Sequence, residues 1–191
     1  MATLTLSESS PTNTTLVDPY GVLVYEKFGL QVSTPCRFTK EITTIKRNGQ
    51  ILATVKWATF GGSELAMGGI SAPLNDVFPK SSILSDLIIL RMKNLSSRVF
   101  TTASGEKLKW KYKSKLECVS PDSGLPLATY NYKILGGIRN KKSTLEISPN
   151  ARHLIDIIVV TWVIYEKKAR DNGIAEGVSS GVEAAVSAST A

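Results

Sequence analysis

Histidine occurs once and cysteine twice in the 191 residues. A zinc site needs about four Cys, His or carboxylate ligands, so one built here would be almost all carboxylate. Two cysteines also exclude a disulfide-stapled scaffold. Long apolar runs are lacking as well. The longest candidate, Leu154 to Tyr165, is free of charge only over residues 157–165, and a spanning helix needs about 20 residues. The Ser- and Thr-rich start, MATLTLSESSPTNTT, has no basic stretch followed by an apolar one and no arginine. It is therefore expected to be neither a secretory signal nor a mitochondrial presequence. Cys36 and Cys118 are expected to be reduced cytosolic thiols. Glycine (14) and proline (8) are ordinary in number, which excludes collagen-like and low-complexity classes.

What is present is an ordinary globular composition with a basic excess. Hydrophobic residues make up 42% and charged residues 20%, with 23 Lys and Arg against 16 acidic residues. That length suits one domain with a real core. Residues 1–13 read as a disordered lead, 14–173 as the domain and 174–191 as a flexible tail of small residues.

Strand signals dominate from Thr14 onward. GVLVYEKF follows a turn at Asp18-Pro19-Tyr20-Gly21. Asn48-Gly49 stands between CRFTKEITTIKR and QILATVKW, and both turn residues tolerate positive φ, so a hairpin is expected there. ELAMGGI reads as strand and bend. Residues 65–94 hold a stretch that fits a helix or a buried strand equally well. RVFTTA, a turn at Ser104-Gly105, KLKWKYK, LECVS, a turn at Pro121-Asp122-Ser123-Gly124, LPLATYNY and STLEIS follow. In KLKWKYK the lysines alternate with Leu108, Trp110 and Tyr112. Period two sends Lys107, Lys109, Lys111 and Lys113 to a solvent face and the other three to the core.

The period then changes. Ser148 as a capping hydroxyl and Pro149 at the first helical position start a helix over about 149–171. Gly173 stops it, and Lys167, Lys168 and Arg170 complement its negative end. From Leu154 to Ile164 it is apolar on nearly every face, so it must be buried all round. With strands elsewhere, the expected fold is mainly β, of α+β class: one barrel-like antiparallel sheet enclosing a long hydrophobic C-terminal helix.

Five blocks carry a family pattern: NTTLVD, ILATVKW, SSRVFTTASGEKLKWKY, LECVSPDSGLPLATY and LEISPNARHLIDIIVVTWVIYEKKAR. In these the chain resembles an uncharacterised domain family abundant in mushroom-forming fungi, over roughly residues 13–171. The layout is also similar to the tubby C-terminal-like architecture shared by phospholipid scramblases and LURP-one-related proteins. That resemblance implies a closed barrel around a hydrophobic helix. Some tubby-like domains bind phosphoinositide headgroups through basic residues. The fungal family brings no established activity.

Charge is concentrated. From Arg91 to Lys142 there are twelve Lys and Arg and three acidic residues, which can focus a field on an anionic partner. Lys107, Lys109, Lys111 and Lys113 are candidate ligands for it. So are Arg139, Lys141 and Lys142 in a loop after Gly136-Gly137, where backbone N–H groups can add to a phosphate site. The blander reading is that a lysine ladder solubilises a strand near an edge. Nucleic acid fits less well, because Trp110 and Tyr112 face away from the lysines and a stacking platform wants them alongside. Neither a P-loop nor a dinucleotide-binding glycine spacing occurs.

Asp156 is a carboxylate inside the apolar helix, and burying it unpaired is costly. Arg152, four residues earlier, can pair with it on the same face, or Asp156 can accept backbone N–H groups from a neighbouring strand; either way the expected role is a lock holding the helix to the barrel. His153 with Cys118 has no nucleophile motif behind it. The chain is thus expected to be a cytoplasmic, non-enzymatic binding module without a cofactor or a transmembrane span. It would be peripheral to a membrane through anionic headgroups, or a protein-interaction domain with no lipid binding.

Overall fold

Twelve strands form a single antiparallel sheet in the order β7-β6-β5-β4-β3-β2-β1-β12-β11-β10-β9-β8. The computed structural model describes residues 1–7, 13–33, 39–58, 62–80, 97–112, 115–132 and 142–171. The strands are β1 (Ala2–Leu6), β2 (Thr14–Val17), β3 (Leu23–Ser33), β4 (Thr39–Arg47), β5 (Gln50–Trp57), β6 (Glu64–Met67), β7 (Ile70–Pro73), β8 (Arg98–Thr101), β9 (Lys107–Tyr112), β10 (Leu116–Val119), β11 (Pro126–Asn131) and β12 (Thr144–Ile147). A short helix α1 (Leu74–Val77) follows β7. A 3-10 turn (Pro149–Leu154) leads into the helix α2 (Ile155–Asp171).

Local chemistry sets the hairpins. Asn48 (φ 50°) and Gly49 (φ 79°) both take the left-handed conformation between β4 and β5, as the Asn-Gly pair requires. Asp18 opens the β2–β3 turn by accepting from the backbone N–H groups of Tyr20 and Val22, each at 2.9 Å. Every neighbouring strand pair is sequential except one, β1 with β12. Two meanders, β1–β7 and β8–β12, therefore meet at the first strand. Residues 2–6, expected to lie in a disordered lead, sit in the middle of the sheet with Leu4 and Leu6 buried.

Strand alternation points one side chain in two at α2. Tyr25, Ile45, Val55, Trp110, Cys118, Tyr130 and Leu145 are buried against it. Residues 158–166 of α2 are all buried. Nine consecutive buried positions cover two and a half turns, so the helix is enclosed on all sides. Its partners come from both meanders: Tyr130 of β11 packs on Trp162 with ring centroids 5.1 Å apart, and Phe78 after α1 packs edge-on against Tyr165.

The expected closed barrel does not form. Strands β7 and β8 end the order and do not pair with each other. Proline at β7's last position, Pro73, has no N–H to donate, and the chain turns into α1 through a bond from Leu74 N–H to the Ser63 carbonyl (2.7 Å). Among the described residues the gap is crossed by a bridge between Lys80 and Arg98, a bond from Val99 N–H to the Pro79 carbonyl (3.1 Å), and bonds from the Arg98 guanidinium to the Phe78 carbonyl (2.6 Å) and to Asn75 Oδ1 (3.3 Å). The expected single helix from Pro149 is also corrected: its first six residues are a 3-10 turn, and Ser148 makes no side-chain cap. The expected stop at Gly173, the tail 174–191 and residues 81–94 lie outside the described residues.

Candidate functional site

Strand β9 carries the expected lysine face. Leu108 and Trp110 are fully buried, while Lys107 is exposed and Lys109 and Lys111 are half-buried on the other side. Tyr112, expected to face the core, is exposed at the strand's end. Alternate residues of a strand are about 7 Å apart, so the three ammonium groups form a short ladder. Lys111 pairs with Glu117 of β10 at 3.7 Å. Among the described residues no carboxylate lies within ion-pair distance of Lys107 or Lys109. Lys142 is exposed just before β12, three strands and hence about 14 Å across the sheet from β9. Structure therefore gathers Lys107, Lys109 and Lys111 and leaves Lys142 apart. Lys113, Arg139 and Lys141 lie outside the described residues.

The Arg152–Asp156 pair is not formed. Arg152 is exposed, and Asp156 is bound instead by the sheet. Tyr25 of β3 donates its hydroxyl to Oδ1 (2.5 Å), and Arg47 of β4 donates to Oδ2 (2.6 Å). Because Arg152 lies in the 3-10 turn, with about three residues per turn, it does not sit one α-turn above Asp156. Burial and the adjacent carboxylate push the Tyr25 phenol pKa up, keeping it a donor. Asp156 therefore joins α2 to the sheet through Tyr25 and Arg47, not through Arg152.

A second polar cluster, absent from the sequence reading, lies further along α2. Glu166 is held in two-point fashion by Arg170, with bonds of 2.6 and 2.7 Å, and Lys27 of β3 approaches it at 3.9 Å. Lys27 is only 6% exposed, and burial lowers its pKa to about 8. The signal for it was in the sequence: period two puts Lys27 on the same inward face as Tyr25. Beside this cluster Lys167 pairs with Glu41 (2.8 Å), and Lys167 and Lys168 stand over the Trp57 ring at 5.2 and 5.9 Å. Those residues line an open polar cleft of about 280 Å³.

Burial pushes the Cys118 thiol pKa up inside the core. His153 is on the surface with its Nε2 2.9 Å from Glu106. The two do not make a nucleophile pair. Among the described residues no group of three or more His, Cys, Asp or Glu could hold a metal ion, and no helix is long and apolar enough to cross a membrane.

The pattern for the "Family of unknown function (DUF6593)" matches residues 9–171. The chain belongs to that family. No curated protein matches this DUF6593 chain. An X-ray structure of a protein from Arabidopsis thaliana is similar to it at 12% identity and a TM-score of 0.46, covering 87% of this chain and 90% of that one. The DUF6593 match ends at Asp171, the last residue of α2, so the enclosed helix belongs to the family unit.

Proposed function

We propose that this DUF6593 domain is a non-enzymatic binding module that engages anionic phospholipid headgroups through the outward face of β9. The lysine ladder carries the reading. Lys107 and Lys109 project from a rigid sheet, stand about 7 Å apart, and have no carboxylate within ion-pair distance among the described residues. An ammonium held this way attracts phosphate without first breaking an internal pair. The interior is filled by α2, which leaves the outside of the sheet as the place to bind. The likeness in layout to tubby C-terminal-like domains supports the same reading, although here β7 and β8 do not pair with each other. Such a module works peripherally at the cytoplasmic side of a membrane.

Vesicle co-sedimentation tests it. The full chain is expected to pellet with phosphatidylcholine vesicles containing about 30 mol% phosphatidylserine or a phosphoinositide, more at about 50 mM than at about 300 mM salt, where screening is shorter-ranged. Reversing charge with Lys107→Glu and Lys109→Glu should remove most of the low-salt binding. Equal binding by that double variant sinks the lysine face. Absence of vesicle binding at low salt, with a protein captured on pull-down, would favour the interaction-domain alternative.

A further inference from the structure

The sheet's register sorts its ends. The turns 18–22, 48–49, 68–69, 102–106 and 120–125 and the start of β1 all lie at one end, since each precedes or follows strands paired there. Among the described residues nine large apolar or aromatic side chains are exposed, and seven of them belong to this turn end. Tyr20 is 91% exposed, Ile70 72%, Ile51 68% and Val22 59%; Met1, Leu23 and Leu125 join them. The other two, Tyr112 and Tyr132, lie at the opposite end.

The fold makes no use of these tips. Along β5 Trp57, Val55 and Ala53 are buried on the inner face; the register shift opposite Ile45 and Lys46 then pairs Ile51 with Lys46 on the outer face, where it is left in water. Turn tips ordinarily carry polar residues because they are solvated. Here three hairpins at this end place an aliphatic residue within two positions of left-handed turn residues: Val22 directly after Gly21, Ile70 directly after Gly68-Gly69, and Ile51 one residue beyond Asn48-Gly49.

The pattern suits one occupant. Tips of successive hairpins are two strands, and so about 10 Å, apart. Single apolar side chains at that spacing do not make the continuous groove a peptide needs. A bilayer interface accepts separate points, each inserting on its own. Lys46 and Arg47 flank the central tip, and Lys107 begins the β9 ladder at this same end. Three carboxylates at this end are tied internally, Asp18 to backbone N–H groups of its own turn, Asp156 to Tyr25 and Arg47, and Glu106 to His153 and Ser104, while Asp122 is exposed in the 120–125 turn. Tyr20, apolar with a polar tip, is the residue type that settles at the headgroup level.

We infer that the turn end docks end-on to a lipid bilayer, with Tyr20, Val22, Ile51 and Ile70 inserting among the headgroups. It rests on the membrane reading above and gives that module an orientation and a salt-resistant component. The test uses the full chain and the same phosphatidylcholine–phosphatidylserine vesicles. Ile51→Asp with Ile70→Asp should weaken partitioning roughly tenfold or more, at low and high salt alike, without lowering the thermal midpoint. Tyr132→Asp, at the other end, should bind as the unaltered chain does. Unchanged partitioning of the tip variant, or an equal loss in Tyr132→Asp, overturns the inference. A dimer that depends on Ile51 and Ile70, with no vesicle binding through them, overturns it too. The two ideas fail separately. If the Lys107 and Lys109 reversals remove binding and the tip variant does not, the lysine face stands alone. If only the tip variant loses binding, the docking end stands and the lysine face falls.

Discussion

The indole N–H of Trp110 donates to the hydroxyl of Thr161 at 2.8 Å, with both residues fully buried. Thr161 passes its own hydrogen to the Ile157 carbonyl at 2.7 Å. A polar stitch thus joins the middle of β9 to the middle of α2 inside the core. Thr161→Val keeps the shape and strands the Trp110 donor, which should cost about 1–3 kcal/mol. Urea unfolding of Thr161→Val, Trp110→Phe and the double variant measures it. A coupling near zero between the two would show that the bond contributes nothing.

Asp156 supports a second comparison. Asp156→Ala removes the acceptor for both Tyr25 and Arg47, with an expected loss of about 1–2 kcal/mol, since Arg47 is partly exposed and its ion pair alone is worth little. Asp156→Asn keeps an acceptor for Tyr25 and should lose less. Arg152→Ala should stay within about 0.5 kcal/mol of the parent. A larger effect at Arg152 than at Arg47 would restore the intrahelical pairing that the 3-10 turn disfavours.

Lys27 gives stability a pH signature. Burial lowers its pKa from 10.5 to about 8 in the folded chain. Below about 8 both folded and unfolded forms carry the proton, and the cost of burying the charge is fully present. Between about 8 and 10.5 the unfolded chain binds more protons, so this residue's contribution to stability rises with pH. Lys27→Met should therefore gain more over the parent at about pH 7.5 than at about pH 9.5. Denaturation at those two values checks this, below the range where the buried tyrosines would add an opposite trend. A gap that widens with pH would refute the buried-lysine account.

Cys118 should be chemically silent. Its thiol is fully buried, and burial pushes its pKa up, so the reactive thiolate is scarce. In a Cys36→Ser background a thiol reagent at about pH 8 should leave the folded protein unlabelled and react once denaturant is added. Rapid labelling of the folded form would mean that β10 opens readily.

Local signals were legible, and distant pairings were not. Asn48-Gly49, the turn after Asp18 and the alternation of KLKWKY announce themselves because each depends on a few adjacent residues. The enclosed helix was legible because nine consecutive uncharged, mostly apolar positions leave no solvent face. Lys107, Lys109 and Lys111 followed from period two alone. Residues 2–6 alternate as a strand should, but their partner β12 is some 140 positions away, and the Ser- and Thr-rich surroundings read as a loose lead. Asp156's true partners, Tyr25 and Arg47, are 131 and 109 positions distant, beyond any spacing rule. Closure failed for a reason set by Pro73, whose effect depends on which strand it ends.

The joining of β1 to β12 also orders events during synthesis. The first strand emerges with its partner still more than a hundred residues from being made. The β1–β7 meander can assemble hairpin by hairpin, yet its concave side stays uncovered until α2 is translated. At about 5–20 residues per second that is a delay of many seconds, in which Leu4, Leu6 and the inner face of β5 are open to water and to other chains. A topology this non-local folds slowly, so the unfinished half keeps its apolar face open to aggregation until α2 covers it.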